Sequence, residues 1–404
     1  MGLGHLRRNL LIAQSLSGSP FHVTILMIAG ARQAGSLTMP AGADCLTLPS
    51  FCKHTNGDYQ PLKLDISLEE LVILRAKSIK SALEAYEPDV LIVDKVPRGV
   101  ARELEPALEY LRARGATRTV LGLREILDDP QVAQQEWQAS ESDQAIHDYY
   151  DAIWVYGDPA VYDLAREYDL SDHVTRKLHY TGYLGQHLRL QFCEAGTSLL
   201  ATMPSKRMVL CLVGGGQDGD RLAETFAQSD LPEDSTGVIL TGPFMPAETI
   251  ERLRGWAETR PSLRVLDFIP EPAPFISRAD RVIAMGGYNT ICEVLSFEKR
   301  ALIVPRVKPR REQLIRAERM RDLGLIDMLH PDELSSQAIK EWLASDLQPL
   351  PPARDKIDLD GLKRLPLLLA DLLGSSDSLL GEKLLSRDQS DEKLLSARKE
   401  TLVL

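Results

Sequence analysis

Four clusters in this 404-residue chain have the residue types and spacing to do chemistry. The first is Gly2-Leu3-Gly4-His5-Leu6-Arg7-Arg8, a glycine turn that leads into a helical pattern with apolar Leu6, Leu10 and Leu11. Glycine lets the backbone turn sharply where a helix begins, and the exposed N–H groups and dipole of that end favour an anion. A histidine there, with an ordinary pKa near 6.5, suits proton removal near neutrality, although it can equally serve only to hydrogen-bond its own loop. The second is Asp94, closing the apolar run Val90-Leu91-Ile92-Val93. The carboxyl end of a strand in an open α/β sheet faces the ligand crevice, and an aspartate there can orient His5 and stabilise its protonated form. The competing role is a helix N-cap for an element starting near Gly99, a reach of five residues.

The third cluster, Val213-Gly214-Gly215-Gly216-Gln217-Asp218-Gly219, lies after one apolar run and before a helical pattern. Consecutive glycines allow close backbone approach to a phosphate, but the spacing is not that of the nicotinamide fingerprint. The fourth is Met285-Gly286-Gly287-Tyr288-Asn289-Thr290-Ile291-Cys292-Glu293, followed by Pro305-Arg306-Val307-Lys308-Pro309-Arg310-Arg311-Glu312-Gln313. The glycine pair opens a helix whose N-terminus can face a diphosphate, with Gly286, Gly287, Asn289 and Thr290 at its mouth. Glu293, one turn on, can accept from two neighbouring ribose hydroxyls. Thr290 and Glu293 also have the spacing of a capping box, and one carboxylate cannot fully serve both roles. The cations between Arg306 and Arg311 are either phosphate contacts or a solvated face.

The elements that must position these residues alternate. Apolar runs are expected as strands over His22–Ile28, Asp44–Leu48, Asp89–Asp94, Arg118–Leu123, Asp151–Tyr156 and Lys177–Thr181, with helical periods such as Leu68–Tyr86 between them. The rhythm repeats at Arg207–Val213, Gly237–Thr241, Leu263–Phe268, Arg281–Met285 and Ala301–Val304. Strands rich in Val, Ile and Leu alternating with helices indicate parallel sheets buried on both faces, so the fold class is α/β with two Rossmann-like doubly wound domains. The expected division is a first domain over 1–182, a linker over 183–206, a second domain over 207–345, a C-terminal helix over 346–373 and a polar, disordered tail over 374–404. Met1 stands where the strand before the first glycine turn belongs, so the first sheet is expected to lack its central strand.

Apolar residues make up 44% of the chain, and the net charge of -11 argues against a nucleic-acid partner. Five scattered cysteines give neither a disulfide frame nor a zinc knuckle, which points to a reducing cytoplasm. No stretch is long and apolar enough to span a membrane, and peripheral membrane contact is left open.

At these residues the chain resembles the GT-B glycosyltransferases, in particular the MurG-like family of the peptidoglycan N-acetylglucosaminyltransferase, over residues 1 to about 375. A branch of bacterial transferases with the Gly-Gly-Tyr-Asn-Thr motif is more similar still. The resemblance implies a GT-B fold with a catalytic histidine at His5 and a dyad aspartate at Asp94. It places Gly214, Gly215, Gly216 and Gln217 near the donor phosphates and brackets the base with Phe268 and Ile269. It gives the ribose to Glu293, and the sugar hydroxyls to Glu312 and Gln313 beside Arg311. Gly2, Gly4, Arg8, Arg98 and Arg124 fall on the acceptor side. The segments Lys95–Arg98 and Arg124–Asp129 depart from the peptidoglycan enzyme, so its lipid is not the expected acceptor.

The resulting expectation is an inverting hexosyltransferase that needs neither metal nor cofactor, acting on a nucleotide-diphosphate sugar, in particular a UDP-sugar. The acceptor is a small molecule, a glycan or a lipid-linked hydroxyl. The alternatives are a nucleotide-sugar hydrolase, which the Gly-x-Gly-His-x-x-Arg stretch also resembles, and a non-catalytic nucleotide-sugar-binding protein.

Overall fold

Strand-forming runs buried on both faces, each followed by a helix, give two parallel sheets. The computed structural model describes residues 2–31, 34, 37–53, 59–204, 206–345, 350–374 and 400–404. The strands of the first half are β1 (Val23–Ala29), β2 (Ala43–Thr47), the small hairpin β3 (Phe51–Lys53) and β4 (Tyr59–Pro61), β5 (Val90–Asp94), β6 (Arg118–Arg124), β7 (Ala152–Tyr156) and β8 (Leu178–Tyr180). Those of the second are β9 (Arg207–Leu212), β10 (Ser235–Leu240), β11 (Leu263–Leu266), β12 (Arg281–Ala284), β13 (Arg300–Ile303) and β14 (Asp327–Met328). The first sheet runs β2-β1-β15-β5-β6-β7-β8, with β15 being Glu400–Val403, and the second runs β11-β10-β9-β12-β13-β14. The expected α/β class with two doubly wound sheets is therefore what the chain adopts.

The expectation of a first sheet without its central strand is corrected by β15. The slot between β1 and β5 is filled from the far end of the chain, in parallel, with Leu26 opposite Val403 and Val90 opposite Leu402. Two neighbouring central strands left unpaired would bury rows of unsatisfied N–H and C=O groups, so the slot strongly favours any apolar extended segment that reaches it. Leu402 and Val403 are buried, and Leu404 continues the ladder by donating from its N–H to the Leu26 carbonyl while accepting from the Ile28 N–H. Asp89 fixes the register by accepting from both the N–H and the hydroxyl of Thr401, at 2.8 and 2.7 Å. The expectation of a disordered tail over 374–404 is thus wrong for its last residues, while residues 375–399, with their repeated Glu-Lys-Leu-Leu-Ser, lie outside the described residues.

Chain segments also return to bridge the halves. The helix Gly361–Leu372 packs on the first helix, Leu3–Ser17, where the Ser15 hydroxyl donates to the Leu362 carbonyl at 2.8 Å. Its approach is fixed by the Tyr183 N–H donating to the Asp358 carbonyl and the Gly361 N–H to the Tyr183 carbonyl. One apolar cluster consequently runs from Leu10 and Trp154 through Leu365 to Leu210 and Ile291. The expected linker is partly helical, with turns at His187–Phe192 and Glu194–Leu200.

Deleting residues 400–404 should cost about 5 kcal/mol or more, since burial of each apolar side chain is worth about 1.5–3 kcal/mol and the flanking strands lose their partner. Asp89→Ala should cost less, about 1–3 kcal/mol, by unpairing the backbone of Thr401. Denaturant midpoints of the three proteins check both values.

Candidate active site

The carboxyl ends of the two sheets face each other across a cleft of about 350 Å³. On one wall is the first helix, Leu3–Ser17, preceded by Gly2 at φ 100°, a left-handed conformation that favours glycine. His5 and Arg8, one helical turn apart, share a face. The His5 Nδ1 lies 2.9 Å from Asp94 Oδ2, and an Arg8 guanidinium nitrogen is 3.0 Å from that Nδ1 and also donates to Asp94 Oδ1. Asp94 ends β5 behind the histidine and does not line the cleft itself. The tautomer protonated at Nδ1 donates to Asp94 and leaves Nε2 with its lone pair. The Asp94 charge raises the His5 pKa, but burial and the cations of Arg8 and Arg124 outweigh it, so the ring sits below its ordinary 6.5. Burial opposes ionisation of Asp94, yet Arg8 and His5 hold its carboxyl far below the usual range.

The opposite wall is built from two glycine-opened helices. In the loop Val213–Gly219, Gly214 and Gly216 have φ of 61° and 87°, and a Cβ on Gly216 would collide with the Thr241 carbonyl. The second helix is Tyr288–Ser296, with Gly287 as its N-cap and no side-chain cap. Among the described residues its first-turn N–H groups have no capping side chain, and they present positive potential to the cleft. This corrects the capping box expected from Thr290 and Glu293, because the helix starts at Tyr288 and Glu293 falls in its interior. Glu293, 1% exposed, instead accepts from Arg7 at 2.6 Å.

That contact belongs to a charge network between the halves. Arg7 also donates to Glu271 at 3.0 Å, and Glu271 accepts from Arg189 at 2.8 Å. Arg189 in turn donates to the Arg7 carbonyl at 2.7 Å, and the Asn289 amide donates to the Gly4 carbonyl at 2.9 Å. Burial disfavours the Arg7 cation, but Glu293 and Glu271 outweigh it and raise its pKa. A second strut joins Arg316, on the helix Glu312–Asp322, to Glu125 just past β6, at 2.6 Å with neither side chain exposed. Arg316 also donates to the Gly286 carbonyl at 3.2 Å.

Of the residues singled out in the sequence, Gly2, Gly4, His5, Arg8 and Arg124 line the first wall. Gly214, Gly215, Gly216, Gln217, Phe268, Ile269, Gly287, Asn289, Thr290, Glu293 and Gln313 line the second. Besides Asp94, four do not line the cleft. Arg98 is buried against Glu105, Glu141 and the Ser140 carbonyl, so its acceptor-side placement is corrected to a structural one. Arg311 turns to Asp129, and Glu312 is held by Arg306 at 2.8 Å. Gly286 lies beneath the surface, where a Cβ would meet the Gln313 carbonyl at 3.0 Å. Among the cleft residues to which the sequence reading gave no role are Arg7, Phe244 and Tyr288. Helical geometry holds the signal for Arg7, because at about 100° per residue it must face away from His5 and Arg8. Among the described residues, no group of three or more His, Cys, Asp or Glu could hold a metal.

Comparison with known proteins places this geometry. Residues 209–357 match the glycosyltransferase family 28 C-terminal domain. An uncharacterized glycosyltransferase of Methanosarcina acetivorans is 22% identical over 93% of this chain and 97% of its own. The UDP-N-acetylglucosamine--N-acetylmuramyl-(pentapeptide) pyrophosphoryl-undecaprenol N-acetylglucosamine transferase of a Sulfurihydrogenibium species is 23% identical over 35% of this chain and 38% of its own. Among solved structures, Acinetobacter baumannii MurG has a TM-score of 0.52 at 12% identity, covering 92% and 96% of the two chains. A putative UDP-N-acetylglucosamine 2-epimerase from Listeria monocytogenes has a TM-score of 0.56 at 12% identity, covering 93% and 95%. Two Rossmann-like sheets facing one cleft, with a family 28 domain on one side, define a GT-B glycosyltransferase. Within that class the chain is similar to the MurG transferases, over part of its length in sequence and across both halves in fold. No described helix is long and apolar enough to cross a membrane.

The Glu125–Arg316 strut gives a direct test of how the halves are held. Glu125→Gln leaves a buried guanidinium without its counter-charge and should cost about 3–5 kcal/mol, while Glu125→Leu combined with Arg316→Met should recover much of that loss. Equilibrium denaturation of both variants measures the difference.

Proposed function

We propose that the cleft transfers a hexosyl group from a nucleotide-diphosphate sugar, in particular a UDP-sugar, to an acceptor hydroxyl with inversion and without a metal. The observation that carries this reading is the placement of the His5–Asp94 pair opposite two glycine-opened helix ends in a single cleft. In this reading the diphosphate lies against Gly214–Gln217 and the first turn of Tyr288–Ser296, and the base lies against Phe268 and Ile269. Glu293 takes the ribose with the oxygen that Arg7 leaves free. The acceptor oxygen bonds to the anomeric carbon as the bond from that carbon to the diphosphate breaks. Its proton passes to His5 Nε2, and the nucleoside diphosphate leaves with the electron pair. Asp94 stabilises the imidazolium, and helix N–H groups stabilise the departing charge. The UDP preference draws support from the donor in the name of the Sulfurihydrogenibium relative.

The test uses UDP-N-acetylglucosamine, with slow transfer to water as the readout in place of the natural acceptor. His5→Ala should lower kcat on the order of 10²-fold with UDP affinity unchanged. The unprotonated imidazole is the active form, so activity is full above the pKa of His5 and falls as pH drops through it. Because that pKa is lowered, the acid limb should have its midpoint below 6.5. Asp94→Asn removes the largest influence raising it, so the limb should move lower still as kcat falls. A limb at or above 6.5, or a normal kcat for His5→Ala, would remove His5 as the base.

Glu293→Gln tests the donor side. A carboxylate accepts from charged and hydroxyl donors more strongly than an amide. The variant should weaken UDP binding roughly ten- to hundredfold, equivalent to about 1.5–3 kcal/mol. It should also lower the melting temperature, because Arg7 loses a charged partner, whereas a residue serving only as a helix cap would tolerate glutamine. Calorimetric titration with UDP and a thermal melt give the two readouts.

A further inference from the structure

Resting on the transfer reading above, we infer that Tyr288 is a positioning residue for His5: reaching across from the second half, its ring closes a cage that holds the Arg8 guanidinium on the His5–Asp94 pair. Arg8 and Tyr288 both line the cleft. Arg8 is 2% exposed, and both of its contacts to the pair come from one terminal nitrogen, which donates to Asp94 Oδ1 and lies 3.0 Å from His5 Nδ1. Its Nε has no hydrogen-bond partner among the described residues. What flanks the guanidinium instead is aromatic: its carbon lies 5.5 Å from the centre of the Tyr156 ring and 5.8 Å from that of Tyr288. Tyr156 ends β7 in the first half, and Gly122 of β6 makes room for it, since a Cβ there would collide with the Tyr156 hydroxyl. Tyr288 begins the helix Tyr288–Ser296 of the second half.

A cation stripped of water is drawn to the negative face of a ring more strongly than an exposed one. The two rings therefore fix a guanidinium that bonds through one nitrogen alone would leave free to swing. Of these contacts only the one with Tyr288 crosses between the halves. The Tyr288 ring is itself wedged: it is 3% exposed, stacked on Tyr183 with centroids 6.2 Å apart, and faced at 5.6 Å by the Arg316 guanidinium, which Glu125 holds. Separating the halves would uncage Arg8 while leaving His5 beside Asp94. The caged cation acts on His5 in two ways. It occupies Asp94 Oδ1, which leaves Oδ2 for Nδ1 and so sets where the imidazole stands. It also keeps a positive charge beside Nδ1, which opposes a proton on Nε2. The charged groups around the ring are Arg8 from its own helix, Asp94 from β5 and Arg124 from β6, while Arg7 turns away to Glu271 and Glu293. Asp94 favours protonation, and burial together with the two arginines outweighs it. Loosening Arg8 leaves Asp94 less opposed, so the pKa of His5 must rise.

The test is an NMR titration of the full-length protein labelled with ¹³C and ¹⁵N in histidine, with neither donor nor acceptor present. The signal missing from the His5→Ala spectrum identifies His5 among the eight histidines. Tyr288→Leu should raise the midpoint of the His5 ring by on the order of half a pH unit or more, the direction expected when a neighbouring cation is loosened. Tyr288→Phe, which keeps the ring face, should keep the wild-type midpoint. Tyr288→Met, which fills more of the ring's volume, carries the same expectation as Tyr288→Leu where that variant fails to fold. In an Arg8→Met background the change at Tyr288 should move the midpoint no further, because the two residues act through one contact. A side chain that serves packing alone would lower the melting temperature and leave the midpoint where it was. An unmoved midpoint in folded Tyr288→Leu or Tyr288→Met would overturn the inference. So would an equal shift in Tyr288→Phe, or a shift that persists undiminished without Arg8. A normal kcat for His5→Ala would instead sink the transfer reading, and the midpoints, read without turnover, would still decide the present one.

Discussion

A single guanidinium sets the geometry of the cleft. Arg7 leaves the first helix and is shared by Glu271 and Glu293 from the second half, while its own carbonyl accepts from Arg189. The four groups are almost fully withdrawn from water; Arg7 sits between two carboxylates and Arg189 on one of them, so removing any one leaves an uncompensated charge. Because Arg7 is two residues from His5, the network that holds the halves together also fixes how far the His5 ring stands from the opposing helix end. The amide of Asn289 on the Gly4 carbonyl reinforces the same registration.

Glu293 shows how a residue can belong to both walls at once. Its carboxylate faces the cleft, yet one of its oxygens is already engaged by Arg7. A donor nucleotide that used the remaining oxygen would be bound by a group whose orientation depends on the two halves being closed. Donor binding and closure would then share one carboxylate, and a ligand stabilises whichever arrangement it binds better.

Most of the architecture was legible because it is periodic. Runs such as Val90–Val93 and Val282–Ala284 are apolar throughout and bounded by helical patterns, which suffices to identify buried parallel strands. The glycine turns at Gly2, Gly214 and Gly287 were legible because each follows or stands in for a strand end. Three features were not. Arg98 lies close after the carboxyl end of β5 and Arg124 closes β6, and only the folded positions of Glu105 and Glu141 turn one of them inward to a structural role. Thr290 and Glu293 have capping spacing, but the helix begins two residues before Thr290, so the spacing is accidental. The strand Glu400–Val403 was hidden because a short apolar run after a polar segment carries no mark of where it docks. Its partners lie more than 300 residues away, and contacts at that separation leave no local pattern.

That last strand has a consequence for biosynthesis. A chain made from its amino end exposes the segments of the first sheet early, but the piece that joins β1 to β5 leaves the ribosome only after the whole second sheet has been made. The second half can therefore fold while the first remains open along its middle, and the histidine and aspartate stay on unjoined elements until synthesis reaches residue 400. Domains usually fold in the order in which they are made. Here the order is reversed, and the half that carries His5 and Asp94 is completed after the other.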